Sequence, residues 1–223
     1  MDFGKSMDSQ GDNQTTNQND EENVNKEVLN FPTACYACGL EGPAKMCIAS
    51  IPFFKEIIIM AFSCDYCGYR NTDIKNGGGI SDKATKIVFK VENQVDLNRD
   101  IFKSDSCLLG IPEIDFEMAP GTLGGVYTTV EGLLDKIITN LSDNNPFGQG
   151  DSRTNDQYLI FIDKVKLLKD GKYLPFTIVL DDALSNCFIY NPSAPENDPQ
   201  IEVTVYPRTE QQDEELGIND MNV

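Results

Sequence analysis

The 223-residue sequence contains no histidine, and this absence removes most common catalytic arrangements. Nucleophile–base pairs of the Ser–His and Cys–His kinds need an imidazole, and the two-histidine, one-carboxylate iron site of oxygenases needs two. Acidic pairs are present, such as Asp115 with Glu117 and Asp181 with Asp182, but nothing distinguishes an acid from a base among them. The sequence therefore favours a protein that is not an enzyme.

Long apolar runs and an excess of positive charge are also missing. No run approaches the ~18 consecutive apolar residues of a membrane span, and residues 1–20 lack the apolar core of a secretory signal. The chain has 18 Lys and Arg against 36 Asp and Glu, a formal net charge of −18. Nucleic-acid binding depends on neutralising phosphates with basic side chains. We therefore expect an intracellular, cytoplasmic protein that has no membrane partner and does not bind nucleic acid.

Both ends of the chain are polar and acidic. Residues 1–30 are rich in Asp, Glu, Asn and Gln and have few large apolar side chains, so we expect a disordered tail. Residues 207–223 form a second acidic segment, which we expect to lie on the surface. Ordered structure is expected to begin near Phe31.

Two similar fragments follow the tail, CYACG at 35–39 and CDYCG at 64–68. In a reducing compartment, paired cysteines bind metal or perform redox chemistry more often than they form structural disulfides. Zn²⁺ prefers four soft ligands at tetrahedral corners, and the glycine after each Cys-x-x-Cys pair allows a tight turn. Neither copy opens an amphipathic helix, as a thioredoxin-like pair would. The pattern predicts a zinc ribbon over residues 31–75 with one structural zinc.

The predicted zinc ligands are Cys35, Cys38, Cys64 and Cys67. Four thiolates leave no open coordination position, so the metal is not expected to be catalytic. The other three cysteines lie singly among apolar residues, and we interpret them as small core residues. These three are Cys47, Cys107 and Cys187.

The ribbon carries no net charge, because four basic side chains balance four acidic ones. The acidic remainder suits a basic protein partner. The turn between the first two ribbon strands contains two adjacent phenylalanines, Phe53 and Phe54. One of them either packs on the following domain, which we prefer, or is exposed for a partner. Both are therefore candidate partner-binding residues.

A β-rich domain is expected over residues 81–206. Its strands alternate apolar and polar residues in TKIVFKVEN, EIDFEMAP, LPFTIVLDD and IEVTVYP. Between them, at about 128–170, apolar residues recur at helical spacing on two segments, which predicts an inserted helical hairpin. Thr128 and Glu131 together predict a capping box at the start of the first helix, and Gly171 is placed as the C-cap of the second helix.

The glycine-rich segment PGTLGG precedes the first helix and lacks the ending of a phosphate-binding loop, so it predicts a tight turn. Binding of a phosphate by the free N–H groups at the start of the first helix remains an alternative.

Several stretches together resemble the ZPR-type zinc-finger family. They are IPFFKEIIIMAFSCDYCGYR, SDSCLLGIPEIDFEMAPGTLGGVYTTVEGLL, PFTIVLDD and ELGINDM, in the family's usual order over roughly residues 31–221. Family members usually carry two modules, each a four-cysteine finger followed by a β-rich domain. This chain has one, most like the C-terminal module, and is either a fragment or a reduced single-module protein.

The resemblance implies a mainly β fold, in which a ribbon like that of translation initiation factor 2 beta precedes a double-stranded β-helix, a jelly-roll-like domain with an inserted helical hairpin. It also implies a protein that binds translation elongation factor 1-alpha, assists its folding and shuttles between cytoplasm and nucleus. A zinc-ribbon RNA-binding protein and a general signalling adaptor are the alternatives.

Overall fold

The computed structural model describes residues 28–143 and 152–220, and this part of the chain is mainly β. The first four strands are β1 (Leu29–Ala34), β2 (Glu41–Ser50), β3 (Glu56–Ser63) and β4 (Arg70–Asn76). The later strands are β5 (Lys83–Val91), β6 (Asp100–Lys103), β7 (Cys107–Ile111), β8 (Phe116–Met118), β9 (Val126–Thr129), β10 (Phe176–Asp182), β11 (Phe188–Ile189) and β12 (Ile201–Pro207). The α-helices are α1 (Val130–Asp143), α2 (Ser152–Lys169) and α3 (Glu210–Glu215). None of the helices described could cross a bilayer.

The ribbon is an antiparallel sheet in the order β1-β2-β3-β4. Its first strand begins at Leu29, before the expected start near Phe31, because Leu29 and Asn30 pair with Met46 and Lys45 on β2. Residues 1–27 of the predicted tail lie outside the described residues. The ribbon buries few apolar side chains of its own, which is the composition of a unit that needs a metal to fold.

The larger domain packs a five-stranded sheet, β12-β5-β10-β7-β8, against a three-stranded sheet, β11-β6-β9. The predicted alternation is confirmed on β10, where Phe176, Ile178 and Leu180 are buried. Ile178 pairs with Phe89 of β5, which is also buried, so the two central strands face one core. This architecture is a jelly roll with an inserted pair of helices.

The segment EIDFEMAP is a strand over only three residues, Phe116–Met118, and not over its whole length. Pro112 starts a 3₁₀ turn and Asp115 adopts a left-handed conformation with φ 52°, so the extended backbone is interrupted. The predicted burial still holds, because Ile114, Phe116 and Met118 all face the core.

Strand β12 lies at the edge of the five-stranded sheet and is less buried than its alternation suggests. Val203 and Val205 are 56% and 58% exposed. Val203 pairs with the buried Ile87 of β5, so it lies on the core-facing side of the sheet. The three-stranded second sheet is narrower than the first, and it leaves this margin uncovered.

The helical hairpin is confirmed, with one shift at its start. In α2, Ile162, Val165 and Leu168 are buried as predicted, and Gly171 ends the helix at φ 64°. The N-cap of α1 is Thr129 and not Thr128, because Thr129 directly precedes the first helical residue, Val130, and its hydroxyl accepts from the Gly132 N–H at 3.1 Å. The sequence NNPFGQGDS at 144–152 predicts a loop between the two helices; its residues 144–151 lie outside the described residues, and Ser152 begins α2.

A buried ionic network joins the start of the jelly roll to β12. The Arg99 guanidinium donates to Asp96 at 2.9 Å and also to Asp198 and Gln200. It lies 4.9 Å from the centre of the Phe89 ring, which places it against the core. The network therefore connects the segment after β5, which contains Asp96 and Arg99, to the segment before β12, which contains Asp198 and Gln200.

The carboxyl-terminal segment is ordered on the surface through residue 220. The Thr209 hydroxyl accepts from the Gln212 N–H and caps α3. The Gln212 side-chain oxygen in turn accepts from the Thr209 N–H at 2.9 Å. Arg208 bonds to Asp213 and to the backbone carbonyl of Ser81, so the segment is tied to the chain that enters the jelly roll.

Candidate metal centre

The structure brings the four predicted cysteine ligands together at one end of the ribbon. Their sulfur atoms all lie within 4.8 Å of one another. Two of the separations that join the two loops are 3.6 Å between Cys35 and Cys67 and 3.6 Å between Cys38 and Cys64. A Zn–S bond of about 2.3 Å gives tetrahedral edges of about 3.8 Å, so the donor set fits one Zn²⁺ ion.

The two cysteine loops fold in the same way because they share one hydrogen-bond pattern. The Cys35 N–H donates to Leu40 O at 2.9 Å, and the Cys64 N–H donates to Tyr69 O at 2.8 Å. Gly39 and Gly68 have φ of 75° and 74°, a left-handed conformation that glycine adopts without strain. The repeat seen in the sequence is therefore a repeat of backbone geometry.

Burial divides the four ligands into two pairs. Cys35 and Cys64 are buried, whereas Cys38 and Cys67 are exposed. The backbone N–H of Cys67 stabilises the Cys64 thiolate and lowers the pKa of Cys64 to about 7. The Tyr69 N–H favours the Cys67 thiolate, but desolvation and neighbouring thiols raise the pKa of Cys67 to about 12. Metal binding therefore displaces protons that the free thiols hold near neutral pH.

The remaining cysteines are placed apart from this group. Cys107 and Cys187 are buried in the jelly-roll domain, as predicted for core residues, and burial raises the pKa of Cys187. Cys47 is half-buried on β2. Within residues 28–143 and 152–220, the four-cysteine group is the cluster with metal-ligand geometry.

The two phenylalanines of the β2–β3 turn point to different surroundings. Phe54 packs on the jelly roll, with its ring 4.8 Å from that of Phe188 and 6.2 Å from that of Phe102. Phe53 is 74% exposed and has φ 60°. Phe54 thus joins the two domains, and Phe53 is left free for contact with another molecule.

Polar contacts beside Phe54 also join the two domains, and no sequence pattern predicts them. The Lys55 ammonium donates to Ser185 O at 3.0 Å and to the Asn186 side chain at 3.3 Å. Asn76 of β4 donates to the same Asn186 side chain at 2.8 Å. These pairs join residues more than a hundred positions apart, so no local pattern could reveal them.

The glycine-rich PGTLGG is a packed turn. Lys103, fully buried, donates to Thr122 O at 3.1 Å, and Gly121 N–H donates to Asp105 O at 2.8 Å. At the start of α1, the Val130 N–H donates to Arg99 O at 3.0 Å. The Gly132 N–H is also bonded within the chain, so two of the first N–H groups of the helix are not available to a phosphate.

Four cysteine sulfurs placed around one ion, at one end of a ribbon whose other end is docked on a jelly roll, define a zinc-ribbon protein with a metal site of the structural type. Family models agree: the ZPR1 zinc-finger domain matches residues 27–82, and the ZPR1 jelly-roll domain matches residues 95–218. The chain belongs to the ZPR1 zinc-finger family, and it carries one finger-plus-jelly-roll module, similar to the C-terminal one.

Related proteins span eukaryotes and archaea. The chain is 40% identical over 205 residues to zinc finger protein ZPR1 of Bos taurus, which covers 91% of this chain and 44% of the relative. It is 41% identical over 198 residues to the zinc finger chaperone zpr1 of Schizosaccharomyces pombe, covering 87% and 43%. An uncharacterised ZPR1-like protein of Methanocaldococcus jannaschii is 28% identical over 160 residues, covering 70% and 78%. The chain thus spans less than half the length of the two eukaryotic relatives.

Proposed function

We propose that this chain is a zinc-stabilised protein-binding module that engages translation elongation factor 1-alpha and assists its folding, in the cytoplasm and with passage to the nucleus. Membership of the ZPR1 family supports a protein-interaction role, and the fission-yeast relative carries the name of a chaperone. The absence of histidine and the closed metal site support binding over catalysis. A net charge of −18 suits a basic client such as this elongation factor.

The observation that carries the proposal is the state of Phe53. Its ring is 74% exposed, although burying an aromatic ring is favourable. Its φ of 60° is rare for a residue other than glycine and costs on the order of 1 kcal/mol. The Phe54 N–H donates to Ile51 O at 3.1 Å and holds this turn, so the exposed ring of Phe53 is the feature that a bound partner would cover.

A shallow cavity beside Phe53 offers a place for a partner side chain. It has a volume of about 230 Å³ and is lined by Phe53, Phe188, Tyr190, Asn191, Ala194 and Pro195. Such aromatic, rigid surroundings are typical of interface hot spots. The partner-binding surface that we propose therefore consists of Phe53 and this cavity.

The proposal is tested by measuring binding of purified elongation factor 1-alpha to the wild-type chain, to Phe53→Ala and to Tyr173→Ala. Tyr173 is the matched control because it is 50% exposed and lies away from the ribbon, after α2. We expect Phe53→Ala to weaken binding about 10- to 30-fold, the range of a hot-spot aromatic, and Tyr173→Ala to leave it unchanged. The yield of refolded elongation factor should fall in parallel. Binding that is absent for the wild type, or equal for all three proteins, would contradict the proposal.

A further inference from the structure

The zinc end of the ribbon is its free end. The β2–β3 turn docks on the jelly roll through Phe54 and Lys55, and the cysteine loops lie at the opposite ends of the same two strands. At that free end Tyr36 is 85% exposed and Tyr66 is 72% exposed. Both tyrosine side chains are therefore mostly in contact with solvent and available to another molecule.

Each tyrosine directly adjoins a metal ligand. Tyr36 directly follows Cys35 and Tyr66 directly precedes Cys67 in the chain. The sulfur atoms of Cys35 and Cys67 lie 3.6 Å apart. Each cysteine loop therefore carries one exposed tyrosine next to the sulfur cluster. We call Tyr36, Tyr66, Asp65 and the exposed ligands Cys38 and Cys67 the zinc-end surface.

The zinc-end surface is electrostatically negative. Four thiolates around one divalent ion carry a net charge of −2, and two of these sulfurs belong to exposed residues. The exposed Asp65 lies inside the second loop, between Cys64 and Tyr66, and adds a further negative charge. Aromatic ring faces also attract cations. In the described chain the cation that stacks on a ring is Arg99, over Phe89, so neither loop tyrosine receives one from within the chain.

We propose that the zinc-end surface binds arginine side chains of a basic protein segment, with the guanidinium stacked on Tyr36 or Tyr66 and its N–H groups directed at the thiolates and Asp65. Arginine fits better than lysine because its planar group can stack and donate at the same time. Single-stranded RNA could also stack on the rings, but its phosphates would meet the negative metal centre. The inference takes from the proposed function only that the partner is a basic protein.

The test uses zinc-loaded protein and three acetylated eight-residue peptides that alternate glycine with arginine, lysine or glutamate, together with an eight-residue oligouridylate. Binding is followed by NMR through the ring resonances of the tyrosines. We expect the arginine peptide to shift Tyr36 and Tyr66 resonances selectively, the lysine peptide to bind more weakly, and binding to fall as salt rises. The glutamate peptide and the oligouridylate should leave these resonances unchanged.

Variants separate ring stacking from simple charge attraction. Tyr36→Phe and Tyr66→Phe keep the ring and should retain binding. Tyr36→Leu and Tyr66→Leu keep apolar bulk without a ring face, and should weaken arginine binding about 3- to 5-fold each, a loss typical of an exposed cation–π contact. Each variant must hold one equivalent of zinc. Tyr173→Ala serves as the remote control.

Three results would each overturn the inference. They are equal binding of the arginine and glutamate peptides, unchanged binding in both leucine variants, and preferential binding of the oligouridylate. Its failure can be told apart from failure of the proposed function. Elongation factor 1-alpha that binds through Phe53 but is insensitive to the tyrosine variants would remove the inference alone. Arginine-peptide binding without binding of the elongation factor would remove the proposed function alone.

Discussion

Among single residues, Gly125 sets how closely the ribbon and the jelly roll approach each other. A Cβ atom at this position would lie 1.7 Å from the carbonyl oxygen of Ile74 on β4. That distance is far shorter than any real contact, so only glycine fits while the two backbones stay where they are. The last glycine of PGTLGG is thus a domain contact as well as part of a turn.

Replacing Gly125 with alanine should therefore separate the domains or strain both backbones. We expect Gly125→Ala to lower the free energy of unfolding by about 2 to 3 kcal/mol, the upper range for overpacking, and to change the environment of Phe54. Urea unfolding and the NMR shifts of Phe54 measure the two effects. The matched control is Gly79→Ala, whose Cβ would meet nothing within 4 Å. Equal stability of the two variants would contradict this account.

Cys64 contributes to stability through the metal. We expect Cys64→Ser to abolish stoichiometric zinc and to unfold the ribbon from β1 to β4, because zinc supplies on the order of 10 kcal/mol of folding free energy to such a unit. The jelly roll has its own core and should stay folded. Elemental analysis and residue-resolved hydrogen exchange check both points. Cys47→Ser is the control, since Cys47 lies outside the sulfur cluster; retained zinc in Cys64→Ser would refute the assignment.

The ligand cysteines could be predicted from the sequence because each pair is a local pattern with a known backbone turn. Gly125 could not, since its partner Ile74 lies on a different strand of a different domain. The same applies to Asn186, which receives hydrogen bonds from Lys55 and Asn76. Local chemistry was therefore predictable, and contacts across the domain boundary were not.

Among the secondary-structure elements, the link between the 3₁₀ turn at 94–98 and β12 depends on Asp96. Burial alone would raise the pKa of Asp96, but a hydrogen bond from Gln200 lowers it. The backbone N–H groups of Glu92 and Asn93 and the positive charge of Arg99 lower the pKa of Asp96 further. The folded protein thus stabilises the charged carboxylate, relative to an ordinary value of 3.8.

This lowered pKa gives the stability of the protein a defined pH dependence. The contribution of Asp96 is complete above its unfolded pKa of 3.8 and is lost as pH falls through the lower folded value. We expect Asp96→Asn to lower the unfolding free energy at pH 7 by about 2 to 3 kcal/mol, the loss of charge-assisted hydrogen bonds. The variant should also show a shallower stability decrease below pH 4, measured by urea unfolding across pH. The exposed Asp163→Asn is the control, and a variant with the wild-type acid profile would disprove the role.

The types of the secondary-structure elements could be predicted well from the sequence. Their boundaries and the exposure of their side chains could be predicted less well. The helical faces of α1 and α2 and the alternation on β10 are confirmed because each depends on periodicity within one element. The cap is Thr129 and not Thr128 because the pairing of β9 with β6 continues through Thr129, so the helix starts only at Val130. The exposure of Val203 depends on the width of the opposite sheet, which no single strand encodes.

For the whole molecule, the dominant feature is a net charge of −18 on 223 residues. Repulsion among like charges destabilises a compact state, and salt screens it. We therefore expect the midpoint of thermal unfolding to rise as NaCl increases from about 20 to 200 mM, where the Debye length shortens from roughly 20 to 7 Å. Scanning calorimetry measures the midpoint, with sucrose as a control for non-ionic effects. A midpoint that falls with salt would show that attractive ion pairs, such as Arg99 with Asp198, outweigh the repulsion.

The overall plan of the molecule was predictable, and its internal arrangement was not. Two cysteine loops, then strands, a helical pair and more strands can be recognised in order along the chain. The relative placement of ribbon and jelly roll depends on Phe54, whose ring packs on residues 102 and 188. The sequence offered this packing as one of two alternatives, and only the three-dimensional contacts distinguish them.

The uncovered margin at β12 has a consequence for handling the protein in concentrated solution. Within residues 28–143 and 152–220 its outer backbone groups pair with no further strand, and the exposed Val203 and Val205 lie beside them, so strands of other chains can add at this edge as in a fibril. Glu202 places a charge on the opposite face of the strand and Pro207 ends the strand, so these two residues oppose such growth. We expect Glu202→Val to aggregate at high protein concentration, and light scattering of the variant and of the wild-type protein measures the difference.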